Sequence, residues 1–219
     1  RTTAVGYAAL AAIMLLTRLP TTDERLPAVT TVTQWLLAPT LAVGLALAHP
    51  RPRPRMLRWA LVALAWCFLG DFLPSVVPGS VRFLAMVGAF LVAQLAWITA
   101  FAPWRRQALA GRRRWAVAAY VIVAVVLLAV CLPQTATLAV PVVGYAAALA
   151  TMATLALGPN RWTATGGALF LVSDSLIALQ TFTPAPLPIS LELPIMATYA
   201  AALALLAWGV HRAAARSAG

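Results

Sequence analysis

The sequence contains no lysine and only five acidic residues in a chain of 219 residues. All sixteen basic residues are arginine, the formal net charge is +11, and charged residues make up only 10% of the chain. A soluble globular domain carries about 25% charged residues, so this composition excludes an ordinary soluble protein. The arginines cluster in short breaks between apolar runs. We therefore expect no nucleic-acid partner, despite the basic charge.

Cysteine is almost absent as well, since the chain contains only Cys67 and Cys131. Both fall inside apolar runs, where cysteine behaves as a small polarizable core residue. Two cysteines in such positions predict neither a disulfide framework nor a zinc site. The sequence also offers no convincing ligand set for a catalytic metal. We therefore expect no metal and no cofactor.

Long polar segments are missing too, and 63% of the residues are hydrophobic. Nearly the whole chain consists of apolar runs of about 16 to 22 residues, a length that spans a bilayer core as a helix. The sequence predicts an all-α, polytopic integral membrane protein, with residues 1–219 forming a single domain of eight transmembrane helices. We expect the first run to be a span, because no signal-peptide cleavage site is evident. The predicted spans cover approximately residues 2–17, 28–48, 57–73, 81–101, 115–132, 138–157, 162–182 and 193–211.

The distribution of arginine predicts the orientation of these helices. Thirteen of the sixteen arginines lie at the two ends of the chain or in the breaks after the second, fourth and sixth spans. Only Arg18, Arg25 and Arg82 fall on the other side. Because arginine-rich loops stay on the cytoplasmic side, both termini are expected in the cytoplasm. The protein is predicted to be a multi-pass protein of the cytoplasmic membrane of a bacterium.

Two of the five acidic residues, Asp71 and Asp174, lie inside predicted spans. An ionisable side chain within a membrane helix is energetically costly, so it is a functional-site candidate by default. Asp71 follows Arg58 by thirteen residues and Asp174 follows Arg161 by the same number. At about 1.5 Å per residue, both lie roughly 20 Å from the cytoplasmic edge. We predict that Asp71 and Asp174 are catalytic and that their carboxyl groups approach within about 4 to 8 Å.

Other polar and aromatic residues of the spans complete the candidate site. Counting from helix ends places Tyr199 at the same depth as the two aspartates, and Gln94 slightly nearer to the cytoplasm. The candidate substrate-binding residues are Gln94, Tyr199, Gln34, Ser173 and Trp97. Hydrogen bonding between helices and close helix packing are the alternative roles for the glutamines, Tyr199 and Ser173. The two aspartates can likewise hold helices together through hydrogen bonds.

Two segments resemble the YhhN-type membrane proteins. They are Gly70-Asp71 followed by Phe83, Gly88, Phe90 and Phe101, and Gly167-Ala168-Leu169-Phe170 leading into Ser173-Asp174-Ser175 and Phe182. The similarity extends over all eight predicted spans, and the chain differs from the family pattern at Gln34-Trp35, Gln94 and Ala202. Some members of the family are lysoplasmalogenases, which hydrolyse the vinyl ether bond of lysoplasmalogens to a fatty aldehyde and a glycerophospho-base. The resemblance implies a membrane hydrolase with a lysophospholipid-type substrate.

Acid–base chemistry by Asp71 and Asp174 is compatible with that activity. Vinyl ether hydrolysis begins with protonation of an alkene carbon and gives an oxocarbenium ion, which water attacks. One carboxylic acid can supply the proton while the other, as a carboxylate, stabilises the cation. Two other classes remain open. Paired intramembrane acids also serve proton-coupled transporters of small molecules or lipids, and the protein could bind lipid without chemistry.

Overall fold

Helices form the regular structure of the described chain. A computed structural model describes residues 2–19, 27–111, 113–135, 138–183 and 190–216. Within these ranges it contains no strand, which confirms the all-α prediction. The helices are α1 (Thr2–Leu16), α2 (Pro27–Ala48), α3 (Arg55–Val76), α4 (Arg82–Phe101), α5 (Arg105–Ala108), α6 (Arg113–Thr135), α7 (Ala139–Ala156), α8 (Arg161–Phe182) and α9 (Glu192–Arg216), with a 3₁₀ turn at Ala102–Trp104. Most residues of the predicted breaks at 18–25 and 184–188 lie outside the part of the chain that the structure describes.

Seven of the described helices are long and apolar enough to cross a membrane: α2, α3, α4, α6, α7, α8 and α9. In α6 the side chains of Val121, Ile122 and Val126 are more than half exposed, which suits contact with hydrocarbon. The chain is therefore a multi-pass integral membrane protein. Because α1 has only 15 residues, below the usual transmembrane length of about 17 to 25, the eighth span stays a prediction.

The start of α8 is fixed by a capping box. The Asn160 side chain accepts hydrogen bonds from the backbone N–H groups of Trp162 and Thr163, at 3.0 and 3.1 Å. In return, the Thr163 hydroxyl accepts from the Asn160 backbone N–H at 3.3 Å. These bonds satisfy backbone groups that a helix start leaves unpaired. The break predicted between the sixth and seventh spans is present for this reason.

Two helices end later than the sequence predicts, because each continues through a proline. α3 runs past Pro74 to Val76, and α6 runs past Pro133 to Thr135. A proline removes its own N–H donor and crowds the carbonyl four residues before it, but the residues after it can still bond back along the helix. The N–H of the residue after Val76, for example, donates to the carbonyl of Leu73 at 3.1 Å. The predicted ends at 73 and 132 were therefore three residues too early.

The chain forms two compact units, one comprising Arg1–Ala100 and Val210–Gly219, the other Phe101–Gly209. The prediction of a single domain stays a prediction. In the first unit, α2 packs against α1 and α3. The helices α3 and α4 meet where Phe90 lies on Gly70, since a Cβ atom at Gly70 would be 2.6 Å from Phe90 Cε2. Only glycine permits this contact, which positions the segment of α3 that carries Asp71.

Two histidines join the segment after α2 to the last turns of α9 within the first unit. The distance between His49 Nε2 and His211 Nδ1 is 3.0 Å. Arg53 lies beside this pair and donates to the backbone carbonyl of His49, also at 3.0 Å. Burial, and then the neighbouring His211 and Arg53, lower the pKa of His49. These effects favour the neutral form of the His49 imidazole.

Close helix packing in the second unit depends on glycines. A Cβ atom at Gly166 of α8 would lie 2.9 Å from the backbone nitrogen of Leu206 in α9. At Gly209 of α9, a Cβ atom would lie 2.8 Å from the backbone nitrogen of Thr163. Small residues allow helix backbones to approach each other in membranes. The glycines therefore fix α8, which carries Asp174, against α9.

Gly209→Ala is expected to destabilise the protein. The new methyl group would meet the backbone of Thr163, which cannot rotate away, and overpacking of this kind costs about 1 to 3 kcal/mol. Gly144→Ala in α7 is the matched control, because a Cβ atom there has nothing within 4 Å. That change should be neutral or stabilising by up to about 1 kcal/mol, since alanine is the better helix former. Thermal unfolding of both variants in detergent measures the difference, and equal stability would contradict the close contact.

Candidate active-site residues

Asp71 lies in α3 with an exposed fraction of 8%, and two residues of α2 hold it. Gln34 Nε2 donates a hydrogen bond to Asp71 Oδ1 at 2.8 Å. Trp35 Nε1 donates to the backbone carbonyl of Asp71 at 3.2 Å, and the Trp35 ring packs edge-on against Phe72, with centroids 5.0 Å apart. The structure thus brings the predicted residues Gln34 and Asp71 together and fixes the carboxyl group against α2.

Arg18 continues this hydrogen-bonded chain from the turn after α1. Its Nη2 donates to Gln34 Oε1 at 2.8 Å, and its Nη1 donates to the carbonyl of Met14 at 3.3 Å. A guanidinium group has only donors, so the amide oxygen of Gln34 must face Arg18 and its NH₂ group must face Asp71. We refer to Arg18, Gln34 and Asp71 as the Asp71 cluster. Tyr7 of α1 also interacts electrostatically with Asp71.

Gln94 and Trp97 lie on α4 in the same unit, and both side chains are 0% exposed. Neither Oε1 nor Nε2 of Gln94 has a hydrogen-bond partner among the residues that the structure describes. Gln94 is therefore not joined to the Asp71 cluster by a direct hydrogen bond. Trp97 follows it by three residues, so the two side chains share a face of α4.

Asp174 lies in α8, in the second unit, and is half-buried. The Tyr145 hydroxyl of α7 donates to Asp174 Oδ2 at 2.5 Å. The sequence did not single out Tyr145 as a site residue. A signal was present, however, because Tyr145 precedes Gly158 by thirteen residues, the spacing by which Asp174 follows Arg161. The same depth argument applied to every tyrosine would have found it.

Ser173 and Tyr199, both predicted to bind substrate, make contacts between α8 and α9. The buried Ser173 hydroxyl donates to the backbone carbonyl of Ile195 at 3.1 Å. The Tyr199 ring is 4% exposed and packs edge-on against Phe170, with centroids 5.8 Å apart. The hydrogen bond of Ser173 joins α8 to α9, which is a role in helix packing. The rings of Phe170 and Tyr199 lie within the unit that also contains Asp174.

The chemistry available at these residues is proton transfer and hydrogen bonding. The described part of the chain contains no group of three or more His, Cys, Asp or Glu residues that could hold a metal ion. The described polar groups around Asp71 and Asp174 include an amide, a guanidinium, an indole N–H and a phenol. Positioned carboxyl groups of this kind can donate or accept a proton in a reaction.

The fold and these residues define a multi-pass membrane protein with two hydrogen-bonded intramembrane aspartates. The chain belongs to the YhhN family, whose model matches residues 29–210, which confirms the resemblance seen in the sequence. Two curated relatives, from Mycobacterium bovis and Mycobacterium tuberculosis, are both named lysoplasmalogenase and are each 37% identical over 175 residues. The match covers 77% of this chain and 66% of each relative, so it spans just under two thirds of their length. No solved structure matches the chain.

Proposed function

We propose that this protein is a lysoplasmalogenase-like membrane hydrolase, which cleaves the vinyl ether bond of a lysoplasmalogen or related lysolipid. The observation that carries the proposal is the Asp71 cluster, in which an aspartate inside a membrane span is held by hydrogen-bond donors. An intramembrane acid is costly to maintain and is a functional residue by default. The names of the two mycobacterial relatives supply the substrate class.

The reaction requires a proton donor, a negative charge and water. The donor protonates the alkene carbon remote from the ether oxygen, and the positive charge develops on the adjacent carbon and that oxygen. Water then adds to the cationic carbon and gives up a proton, and the resulting hemiacetal collapses to a fatty aldehyde and the glycerol hydroxyl. Asp71 and Asp174 divide the first two tasks in our proposal, as the two carboxyl groups of a glycosidase do. Their matching positions in the sequence, thirteen residues after Arg58 and Arg161, support this division.

Orientation in the membrane is part of the proposal. The arginine distribution favours eight spans with both termini in the cytoplasm, in the cytoplasmic membrane of a bacterium. In that orientation both aspartates lie in the outer half of the bilayer. The lipid bilayer would then deliver the substrate laterally, with its acyl-like chain remaining in an apolar environment.

Aldehyde release by the purified protein in detergent tests the proposed activity. The substrates are three lysolipids with the same head group and chain length but with a vinyl ether, an alkyl ether or an ester bond. We expect aldehyde only from the vinyl ether, because the alkyl ether has no alkene carbon to protonate. Release of fatty acid from the ester would indicate a different hydrolase, and no turnover of any substrate would refute the proposal.

Tyr145→Phe is expected to lower kcat roughly 10- to 100-fold. The change removes the donor to Asp174 Oδ2, and a hydrogen bond to a charged group contributes about 1.5 to 3 kcal/mol. The matched control is Tyr120→Phe in α6, the same substitution within the same unit but at a residue outside the proposed site. Steady-state aldehyde release measures both variants. Wild-type kcat in Tyr145→Phe would show that this hydroxyl does not position Asp174 for the reaction.

A further inference from the structure

The amide of Gln94 is a buried polar group that has no role in the contacts described above. It lies in the interior of α4 with an exposed fraction of 0%, and both of its polar atoms lack a hydrogen-bond partner among the described residues. Buried polar groups are nearly always hydrogen-bonded, and each exception calls for an explanation. An apolar residue of the same length would fill the position at a lower energetic cost. The amide therefore points to a polar ligand.

The position of Gln94 links it to the segment that carries Asp71. Phe90 and Gln94 are four residues apart and lie on one face of α4. Phe90 is the residue whose ring rests on Gly70, and Gly70 directly precedes Asp71. The same face of α4 therefore meets α3 beside Asp71, and Gln94 lies one helical turn, about 5.4 Å, further along. Both residues belong to one unit.

The oxocarbenium ion of the proposed reaction can react by two routes, and a polar group at such a position can select one of them. A lysolipid carries a free hydroxyl group on the glycerol carbon next to the ether oxygen. That hydroxyl can attack the oxocarbenium carbon itself, closing a five-membered cyclic acetal and passing its proton to a carboxylate. No water is consumed, and the product is an isomer of the substrate. Tethered reactions of this kind have effective molarities of up to about 10⁵ to 10⁸ M, so an enzyme that releases aldehyde has to hold its water in place.

We propose that Gln94 holds the water that attacks the oxocarbenium carbon and thereby directs the reaction to hydrolysis instead of cyclisation. The inference rests on the proposed function. An amide offers both an acceptor and two donors. Oε1 accepts a hydrogen bond from the water, which leaves a lone pair of the water oxygen free for the carbon. Water then adds as its second proton passes to a carboxylate, and the hemiacetal releases aldehyde.

The test is the ratio of two products formed by Gln94→Met. Methionine has the length of glutamine without its hydrogen-bonding atoms, so the substitution removes the water's acceptor and preserves the packing. The substrate is the vinyl ether lysolipid, and aldehyde and cyclic acetal are separated by chromatography and distinguished by proton NMR. We expect aldehyde formation to fall at least tenfold, with little change in KM. We also expect the cyclic acetal, absent from the wild-type reaction, to become the main product.

Two further variants and a stability measurement keep the result unambiguous. Gln94→His retains a donor and an acceptor and should restore aldehyde as the main product. Gln180→Met, the same change at an exposed position of α8, should behave as wild type. The melting temperature of Gln94→Met should equal or exceed that of the wild type, because the fold supplies no described partner to the amide. A lower melting temperature would contradict the inference, since the amide would then be needed by the fold.

The remaining outcomes separate this inference from the proposed function. If the wild-type protein releases no aldehyde from the vinyl ether lysolipid, the proposed function fails and this inference fails with it. If the wild type releases aldehyde and Gln94→Met releases it without any cyclic acetal, at whatever rate, only the inference is overturned. A cyclic acetal from Gln94→Met, with aldehyde restored in Gln94→His, supports both.

Discussion

Asp71→Asn and Asp174→Asn should each abolish aldehyde release while leaving the protein folded. Asparagine has the size of aspartate but can neither donate a carboxylic proton nor stabilise an oxocarbenium ion by charge. Loss of one general acid or base typically lowers the rate by about 10²- to 10⁴-fold. The proposed mechanism gives each aspartate a different role, so the aspartate that remains in each variant cannot replace the one that is lost.

The structure explains why these variants should remain folded. In Asp71→Asn the new amide oxygen would still accept from Gln34 Nε2, because that donor remains. In Asp174→Asn the new amide oxygen would likewise still accept from the Tyr145 hydroxyl. Removing a charge from a membrane span also lowers the cost of burial. Stability should therefore be equal to or greater than that of the wild type.

Aldehyde release and thermal unfolding are measured on each purified variant. Glu192→Gln is the matched control, because it makes the same acid-to-amide change at an exposed residue in the first turn of α9. It should retain full activity. Full activity in either asparagine variant would refute the mechanism. Loss of activity together with loss of folding would instead favour a role for the aspartates in holding helices together.

The helices themselves were largely predictable because their ends are set by local chemistry. The seventh predicted span, at 162–182, differs by one residue from α8 (Arg161–Phe182). Its start carries a signal in the sequence, since asparagine is a strong N-cap and Asn160 follows a proline. The late ends of α3 and α6 were missed because a proline near a helix end removes one bond without stopping the helix.

The contacts of the site residues were less predictable, because hydropathy does not specify how a membrane helix is rotated. A helix that is apolar on nearly all sides can turn any face to its neighbours at little hydrophobic cost. The bond between Gln34 and Asp71 depends on rotation, which packing contacts such as Phe90 on Gly70 determine. The depth of a residue along its helix could be counted from the arginines. The side chain that it contacts at that depth could not be predicted.

The contact of Arg18 with Gln34 was also not predictable from the sequence. In the sequence it is one of three arginines on the side opposite the cytoplasm and serves only to count topology. In the structure it orients the amide of Gln34 and therefore acts on Asp71 through that residue. An arginine at a helix end has the same sequence pattern whether it faces water or a buried amide, so only the fold separates the two roles.

Gln34→Met is expected to have the second large effect, because Gln34 lies between Arg18 and Asp71 in the Asp71 cluster. Methionine keeps the length of the side chain but removes one acceptor from Arg18 and one donor from Asp71, both bonded at 2.8 Å. Each hydrogen bond to a charged group contributes about 1.5 to 3 kcal/mol. We therefore expect the free energy of unfolding to fall by roughly 3 kcal/mol or more. Aldehyde release should also fall, because Asp71 loses the donor that orients it.

A double-mutant cycle with Arg18→Met tests whether the three residues act as one chain. If Arg18 acts on Asp71 through the amide, the two substitutions share a lost interaction, and their effects on unfolding should fall short of additivity by about 1 kcal/mol or more. Unfolding by denaturant in mixed micelles supplies the free energies. Gln107→Met, at an exposed position of α5, is the control and should stay within about 0.5 kcal/mol of the wild type. Strict additivity would show that Arg18 and Gln34 act independently, and unchanged catalysis in Gln34→Met would remove the amide from the active site.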